Sequence, residues 1–379
     1  MNGVSLIIAG CSAFAATAHA DATVPPTIAD VATRYADLAS NSYSGAANAA
    51  RAVKDSVALF VANPSPETLA EARQSWVTAH RAYDPTEVFR FYGGPIDDAR
   101  ALEPKLNAWP MDEAYVDYVE GLPDAGIVNH PAEFPSLDKE TIAALNEKDG
   151  ETNIASGFHA IEFLLWGQDQ SVDGPGARPH TDYIEANSPN AKRRATYLLH
   201  ATELVVEHLE AVANDWKTGE DNYRKTFLAA KPVEAIRKIL TGMAMLSGEE
   251  IAHERMFVAY DTQDPEDEQS CFSDETLGCL RGNALGIQTV WRGTNGIMDL
   301  VKASDPKLAD DLDKAIGLSI VAIEAIPAPF DQAIQGEDTA PGRTKIREAV
   351  QALEAQTELL SRAAETLGVP INLQAAEGD

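Results

Sequence analysis

Basic residues are scarce in this chain. Over 379 residues, 30 Lys and Arg stand against 59 Asp and Glu, a formal charge of −29. A field of that sign repels phosphate backbones and anionic lipid surfaces, so nucleic acid is not expected as a partner, while cations are favoured. Much of the acidity also serves solubility. Long apolar runs are missing too: beyond the N-terminus no stretch approaches the roughly 20 apolar residues of a membrane helix, so no membrane span is expected. Strand signals are absent, because no window sustains a period-two alternation. Cysteine is confined to Cys11, Cys271 and Cys279. No H-E-x-x-H, G-x-S-x-G, Walker or dinucleotide fingerprint occurs, nor a C-x-x-C-H haem attachment site. The standard zincin, serine-hydrolase, nucleotide-binding and covalent-haem arrangements are thereby set aside.

What remains is helical. Ile28, Val31, Ala32, Tyr35, Leu38 and Ala39 mark one amphipathic face, continued after a break near Ser42 to Gly45 by Val53, Val57 and Phe60. Ser65-Pro66 supplies an N-cap with proline at the first helical position, and the helix that follows should end before Pro85. Further helices are expected at 153–166, after Ser188-Pro189, at 233–258, and near 280–300, 305–325 and 342–367. The fold class is therefore all-α, most simply two related helical bundle domains packed side by side. The first half spans 27–187. The second spans 188–367 and carries an acidic, cysteine-bearing loop at 261–279. A weak echo of Gly157-x-His159-x-Ile161 in Gly286-x-Gln288-x-Val290 is consistent with a duplication.

Residues 1–20 carry no Lys, Arg, Asp or Glu, and Ala18-His19-Ala20 ahead of Asp21 has the small-x-small form of a signal-peptidase site. They are read as a signal peptide for export. Ile8-Ala9-Gly10-Cys11 offers a rival reading, a lipobox that would anchor the chain through Cys11. In an exported protein, Cys271 and Cys279 are expected to close a disulfide ahead of binding a metal.

The chemistry concentrates in Gly157-Phe158-His159-Ala160-Ile161-Glu162-Phe163-Leu164-Leu165-Trp166-Gly167. On a helix, His159 and Glu162 at i,i+3 share a face and can converge on one cation, amid apolar neighbours that make a lone charge costly. The bland alternative is a His–Glu pair that locks two helices. Two ligands leave a divalent ion short of four or more. Further candidates are Glu87, which enters an aromatic patch, and Glu250, His253 and Glu254 in Ser247-Gly248-Glu249-Glu250-Ile251-Ala252-His253-Glu254-Arg255. There the helical spacing does not decide whether Glu249 or Glu250 faces inward. Arg90 and Arg255 can neutralise such carboxylates. His80, next to Arg81, reads as a surface or partly packed residue, and His200 and His208 as part of a solvated face.

These motifs resemble the imelysin-like family, whose G-x-H-x-x-E signature stands here as Gly157-x-His159-x-x-Glu162. Within that family the chain is most similar to the iron-regulated protein A branch. Met256 to Glu268, Ser270-Cys271-Phe272-Ser273-Asp274 and Asn283-Ala284-Leu285-Gly286-Ile287-Gln288 add to the likeness, which runs from about 30 to 365. The resemblance implies two related helical bundles with the signature helix where they meet. It also implies an exported bacterial protein of the periplasm that binds iron or a small iron complex at a His/Glu site in iron acquisition, alongside other envelope iron-uptake proteins. Another divalent metal is an alternative, and so is a metal-dependent peptidase of the imelysin type. His159 and Glu162 take their role from the signature; Glu87, Glu250, His253 and Glu254 rest on spacing alone.

Overall fold

The computed structural model describes residues 26–171 and 174–373. The expected signal peptide and Cys11 lie outside the described residues. Helices account for the architecture, and no strand occurs among the described residues.

Helix α1 (Ile28–Ala62) starts from a capping box, in which Thr27 accepts from the Asp30 amide and the Asp30 side chain reaches back. It runs unbroken through the break expected at 42–45. Gly45 is exposed, and a side chain there would meet nothing, so the glycine weakens the helix without ending it. Helix α2 (Pro66–Tyr83) is capped by Ser65 and stops where Asp84 precedes Pro85. The chain then tightens into a 3₁₀ turn, Asp84–Phe89. The signature forms α3 (Gly157–Trp166), shorter at its start than the expected 153–166. Helices α4 (Ala191–Asp215) and α5 (Pro232–Met245) follow. Directly after α5, Leu246–Phe257 winds as a π-helix and passes into Val258–Thr262. The later long helices are α6 (Thr276–Trp291), α7 (Pro306–Glu324) and α8 (Pro341–Thr366).

Alternation of small and large apolar residues along α1 lets α2 and α4 pack along it, while α8 lies between α7 and the π segment. Helix α6 touches both groups: it packs on α7 and on the 3₁₀ turn that ends α2. The buried apolar residues form one connected cluster. No described helix is long and apolar enough to cross a membrane.

Candidate functional site

Helix α3 can sit in the core only because its first residue is glycine. Gly157 has φ +91°, and a Cβ there would stand 2.6 Å from the Leu106 carbonyl oxygen. All ten residues of α3 are buried. The Trp76 indole N–H donates to the Phe158 carbonyl at 2.9 Å, and the Tyr183 hydroxyl donates to the Leu164 carbonyl at 2.6 Å.

Within α3, His159 and Glu162 meet each other directly, with Nδ1 2.8 Å from Oε2. The other carboxyl oxygen of Glu162 accepts from the Ser273 amide at 2.9 Å and the Ser273 hydroxyl at 2.6 Å. Glu162 is therefore occupied on both sides, whereas Nε2 of His159 is buried with no hydrogen-bond partner. Burial drives the imidazole down to about 3. It also drives the carboxyl up to about 8, against the pull of the Ser273 hydrogen bonds. At neutral pH the pair is a carboxylic acid whose proton is donated to Nδ1 of a neutral ring.

His80 is not the surface residue its neighbour Arg81 suggests. It shares the inner face of α2 with Trp76 and Tyr83 and is 1% exposed, while Arg81 turns outward to Glu275. Its ring stacks on Trp76 and stands edge-on to His159, with centroids 5.2 Å apart. Nε2 lies 2.9 Å from Asn107 Oδ1, and Asn107 Nδ2 lies 3.5 Å from Glu87 Oε1. Because Asn107 turns its amide nitrogen to Glu87, its oxygen must accept from Nε2–H of His80. That leaves the Nδ1 lone pair facing the Cys279 thiol, 3.3 Å away. Burial lowers His80 to about 3, so this ring is neutral as well.

The expected Cys271–Cys279 disulfide is not formed, and both cysteines are free. Helix α6 begins at Thr276 and turns Cys279 into the core beside His80, while Cys271 stays in the preceding loop, partly exposed. Next to Cys279 lies Asp84, fully buried, with neither carboxyl oxygen hydrogen-bonded. The nearby His80 Nε2 is 3.9 Å from its Oδ1. Burial holds the Asp84 carboxyl well above the usual range, although Arg255 pulls the other way. A stripe of glycines makes this approach of α6 feasible. A Cβ at Gly282 would stand 2.6 Å from that of Asp84, and one at Gly286 would stand 2.5 Å from the Pro85 carbonyl oxygen.

The remaining expected site residues divide. Glu87 is fully buried between Arg90 at 2.7 Å and Arg255 at 2.8 Å. Burial raises its carboxyl, but the two guanidinium groups overcome this and hold it at about 2. Glu250, not Glu249, faces inward and accepts from Arg255 at 2.9 and 2.6 Å. The π-helix explains the choice: its i→i+5 bonding brings 250 and 255 onto one face, rather than 250 with 253 or 254. His253 is half-exposed and lines a separate cavity of about 290 Å³ with Phe257, Tyr260 and Glu354, and Glu254 is exposed. His159, Glu162 and Glu87 thus lie in one buried region with Glu250 at its rim, while His253 and Glu254 do not join it. His80, Asp84, Asn107, Ser273 and Cys279 were not foreseen. The signals present for them were the i,i+4 spacing of His80 and Asp84 and the four-residue spacing of Gly278, Gly282 and Gly286.

The chain is similar to known proteins over most of its length. The imelysin family model matches residues 39–360. Iron-regulated protein A of Synechococcus elongatus is 24% identical over 337 residues, covering 85% of this chain and 81% of the relative. The crystal structure of a protein assigned as an iron-regulated protein A precursor from Parabacteroides distasonis superposes with a TM-score of 0.72 at 22% identity, covering 92% of this chain and 98% of the other. An imelysin-like protein from Psychrobacter arcticum gives a TM-score of 0.64 at 13% identity, over 91% and 98%. At these identities the two structures speak to the all-α fold.

Proposed function

The chain belongs to the imelysin family, and we propose that it binds iron, as the ion or in a small complex, at the buried His159–Glu162 site. The observation that carries this reading is the state of His159. One ring nitrogen is fixed by Glu162, while the other is buried and unpartnered. A buried polar nitrogen without a partner is unfavourable by about 1–3 kcal/mol, and a cation bound there removes that penalty. A carboxylate that orients the far nitrogen of a metal-ligating histidine is the usual supporting arrangement at such sites. Glu162 in this role holds the ring instead of binding the ion itself. A cation arriving at Nε2 displaces one proton from the pair, leaving Nδ1–H donating to a Glu162 carboxylate.

The names of the relatives above, iron-regulated protein A, point to iron as the cargo. Family membership also raises metal-dependent peptide hydrolysis. That chemistry needs an open coordination position reachable by a peptide and a free general base. Here His159 and Glu162 are sealed from solvent, and Glu162 is held on both oxygens, which favours binding. The small-x-small sequence before Asp21 supports export to the periplasm, where the protein would hand iron to or take it from other envelope proteins.

Calorimetric titration of the protein with ferrous ion under anaerobic conditions tests the reading. One ion is expected to bind per chain, and His159→Ala is expected to abolish binding while the far-ultraviolet circular dichroism stays helical. Undiminished binding by that variant removes His159 from the site.

A further inference from the structure

We propose that His80, Asp84 and Cys279 form a thiolate-containing site for a divalent transition-metal ion. The proposal concerns a site beside the one read above, with its own ligands, and does not rest on that reading. One ligand atom from each of the three residues falls within 4.8 Å of the others, and all three residues are buried. The donors arrive from separate places: His80 from the last turn of α2, Asp84 from the following 3₁₀ turn, Cys279 from the first turn of α6. The His80 Nδ1 to Cys279 Sγ distance is 3.3 Å. A nitrogen and a sulfur on one tetrahedral ion, with bonds of about 2.0 and 2.3 Å, stand about 3.5 Å apart. Asp84 supplies the third donor, its Oδ1 lying 3.9 Å from the His80 ring.

Two observations make this more than a chance cluster. The Asp84 carboxyl is fully buried and makes no hydrogen bond of ordinary geometry, its polar neighbours being the Cys279 thiol and His80 Nε2 at 3.9 Å. His80 is set as metal-ligating histidines are: its Nε2–H is held by Asn107, itself oriented by Glu87, so Nδ1 presents a lone pair to the site. Charge closes the argument. A neutral imidazole, one thiolate and one carboxylate neutralise a divalent cation, so the loaded site carries no net charge into the core. Loading replaces the Cys279 S–H bond by an S–metal bond and the Asp84 O–H bond by an O–metal bond, and both protons go to solvent. A set of one sulfur, one oxygen and one imidazole nitrogen suits Fe²⁺, Co²⁺ or Zn²⁺ over the hard ions Mg²⁺ and Ca²⁺.

Cobalt(II) is the probe, added to the reduced full-length protein under argon. The expected result is a near-ultraviolet thiolate-to-cobalt absorption band with the visible bands of a tetrahedral ion. Cys279→Ser is expected to lose the ultraviolet band, and Cys271→Ser to keep it. His80→Gln and Asp84→Asn should each weaken cobalt binding by at least ~10-fold. X-ray absorption at the cobalt edge of the wild-type protein should show one sulfur neighbour, a measurement that needs no variant to fold. Cobalt bound without a sulfur neighbour and lost in His159→Ala overturns this proposal and leaves the iron-binding reading standing. A sulfur-bound cobalt unaffected by His159→Ala supports the trio as a site separate from the iron site proposed above. No cobalt binding at all overturns the proposal.

Discussion

Two polar clusters lie side by side in the core, and they are finished to different degrees. In one, Arg255 donates to Glu87, Glu250, Gln269 and Asn283, and Arg90 shares Glu87. Almost every charged atom there meets an opposite charge or a polar partner. In the other, His159 Nε2 and both oxygens of Asp84 have no partner, although the three groups are as deeply buried. Buried polar groups in folded proteins are nearly always satisfied, so a complete cluster explains itself and an incomplete one calls for a ligand. The comparison assigns the arginine–glutamate cluster to holding the 3₁₀ turn, the π segment and α6 together. The histidine–aspartate–cysteine side is the one proposed above to bind.

Breaking the finished cluster should have the largest effect. Arg255→Met leaves Glu87 with Arg90 and the long Asn107 contact, and Glu250 facing a side chain that cannot donate. Removing one member of a buried ion pair destabilises by about 3–5 kcal/mol. Urea unfolding should show the midpoint falling accordingly. A loss below about 1 kcal/mol would mean that the cluster is solvated and not structural.

Glu162, on the unfinished side, should respond to pH in the opposite sense to a paired carboxylate. Glu162 in the folded protein is held up to about 8, above its unfolded value, because burial disfavours the anion. The native state therefore keeps a proton that the unfolded chain releases. Stability from this group is intact below about 4.5, falls as pH rises towards 8, and levels off above that. His159 and His80 lie near 3, so their contribution rises with pH between about 3 and 6.5. Glu162→Gln mimics the protonated acid, with an amide that can still accept from Ser273 and donate to His159. In metal-free protein, the stability difference between this variant and wild type should grow in the variant's favour from pH 4.5 to 8, on the order of 1 kcal/mol per pH unit at most. The histidine contribution is common to both proteins and cancels from that difference. A flat difference would show that Glu162 is ionised in the native state.

The same contrast shows what the sequence made legible. His159 and Glu162 stood out because polar residues interrupted an apolar helix, and the all-α class followed from periodicity and from the cap at Ser65-Pro66. His80, Asp84 and Cys279 did not stand out, because only the packing of α6 brings Cys279 to the other two. That packing depends on Gly282 and Gly286, whose meaning is visible only when the opposing backbone is known. Cys279 was hidden further by its spacing from Cys271, which reads as a disulfide until α6 turns the thiol inward. The π segment misled through geometry: a period of 3.6 aligns Glu250 with His253 and Glu254, whereas the observed winding aligns it with Arg255.

His253 and Glu254 give the smallest expected effect and the sharpest check on that last point. His253 is half-exposed, its Nε2 lies 3.4 Å from Glu354, and the cavity it lines is formed by the π segment and α8. An exposed ion pair of this kind contributes about 0–1 kcal/mol. His253→Ala should therefore shift the urea midpoint by no more than about 0.5 kcal/mol, and Glu254→Gln by less. Neither should change the stoichiometry or affinity of ferrous ion in the calorimeter, since the metal-facing atoms belong to the other side of the π segment. If His253→Ala removed binding while His159→Ala did not, the assignment of the two clusters would be reversed. The exposed cavity at α8 would then be the place where iron is held.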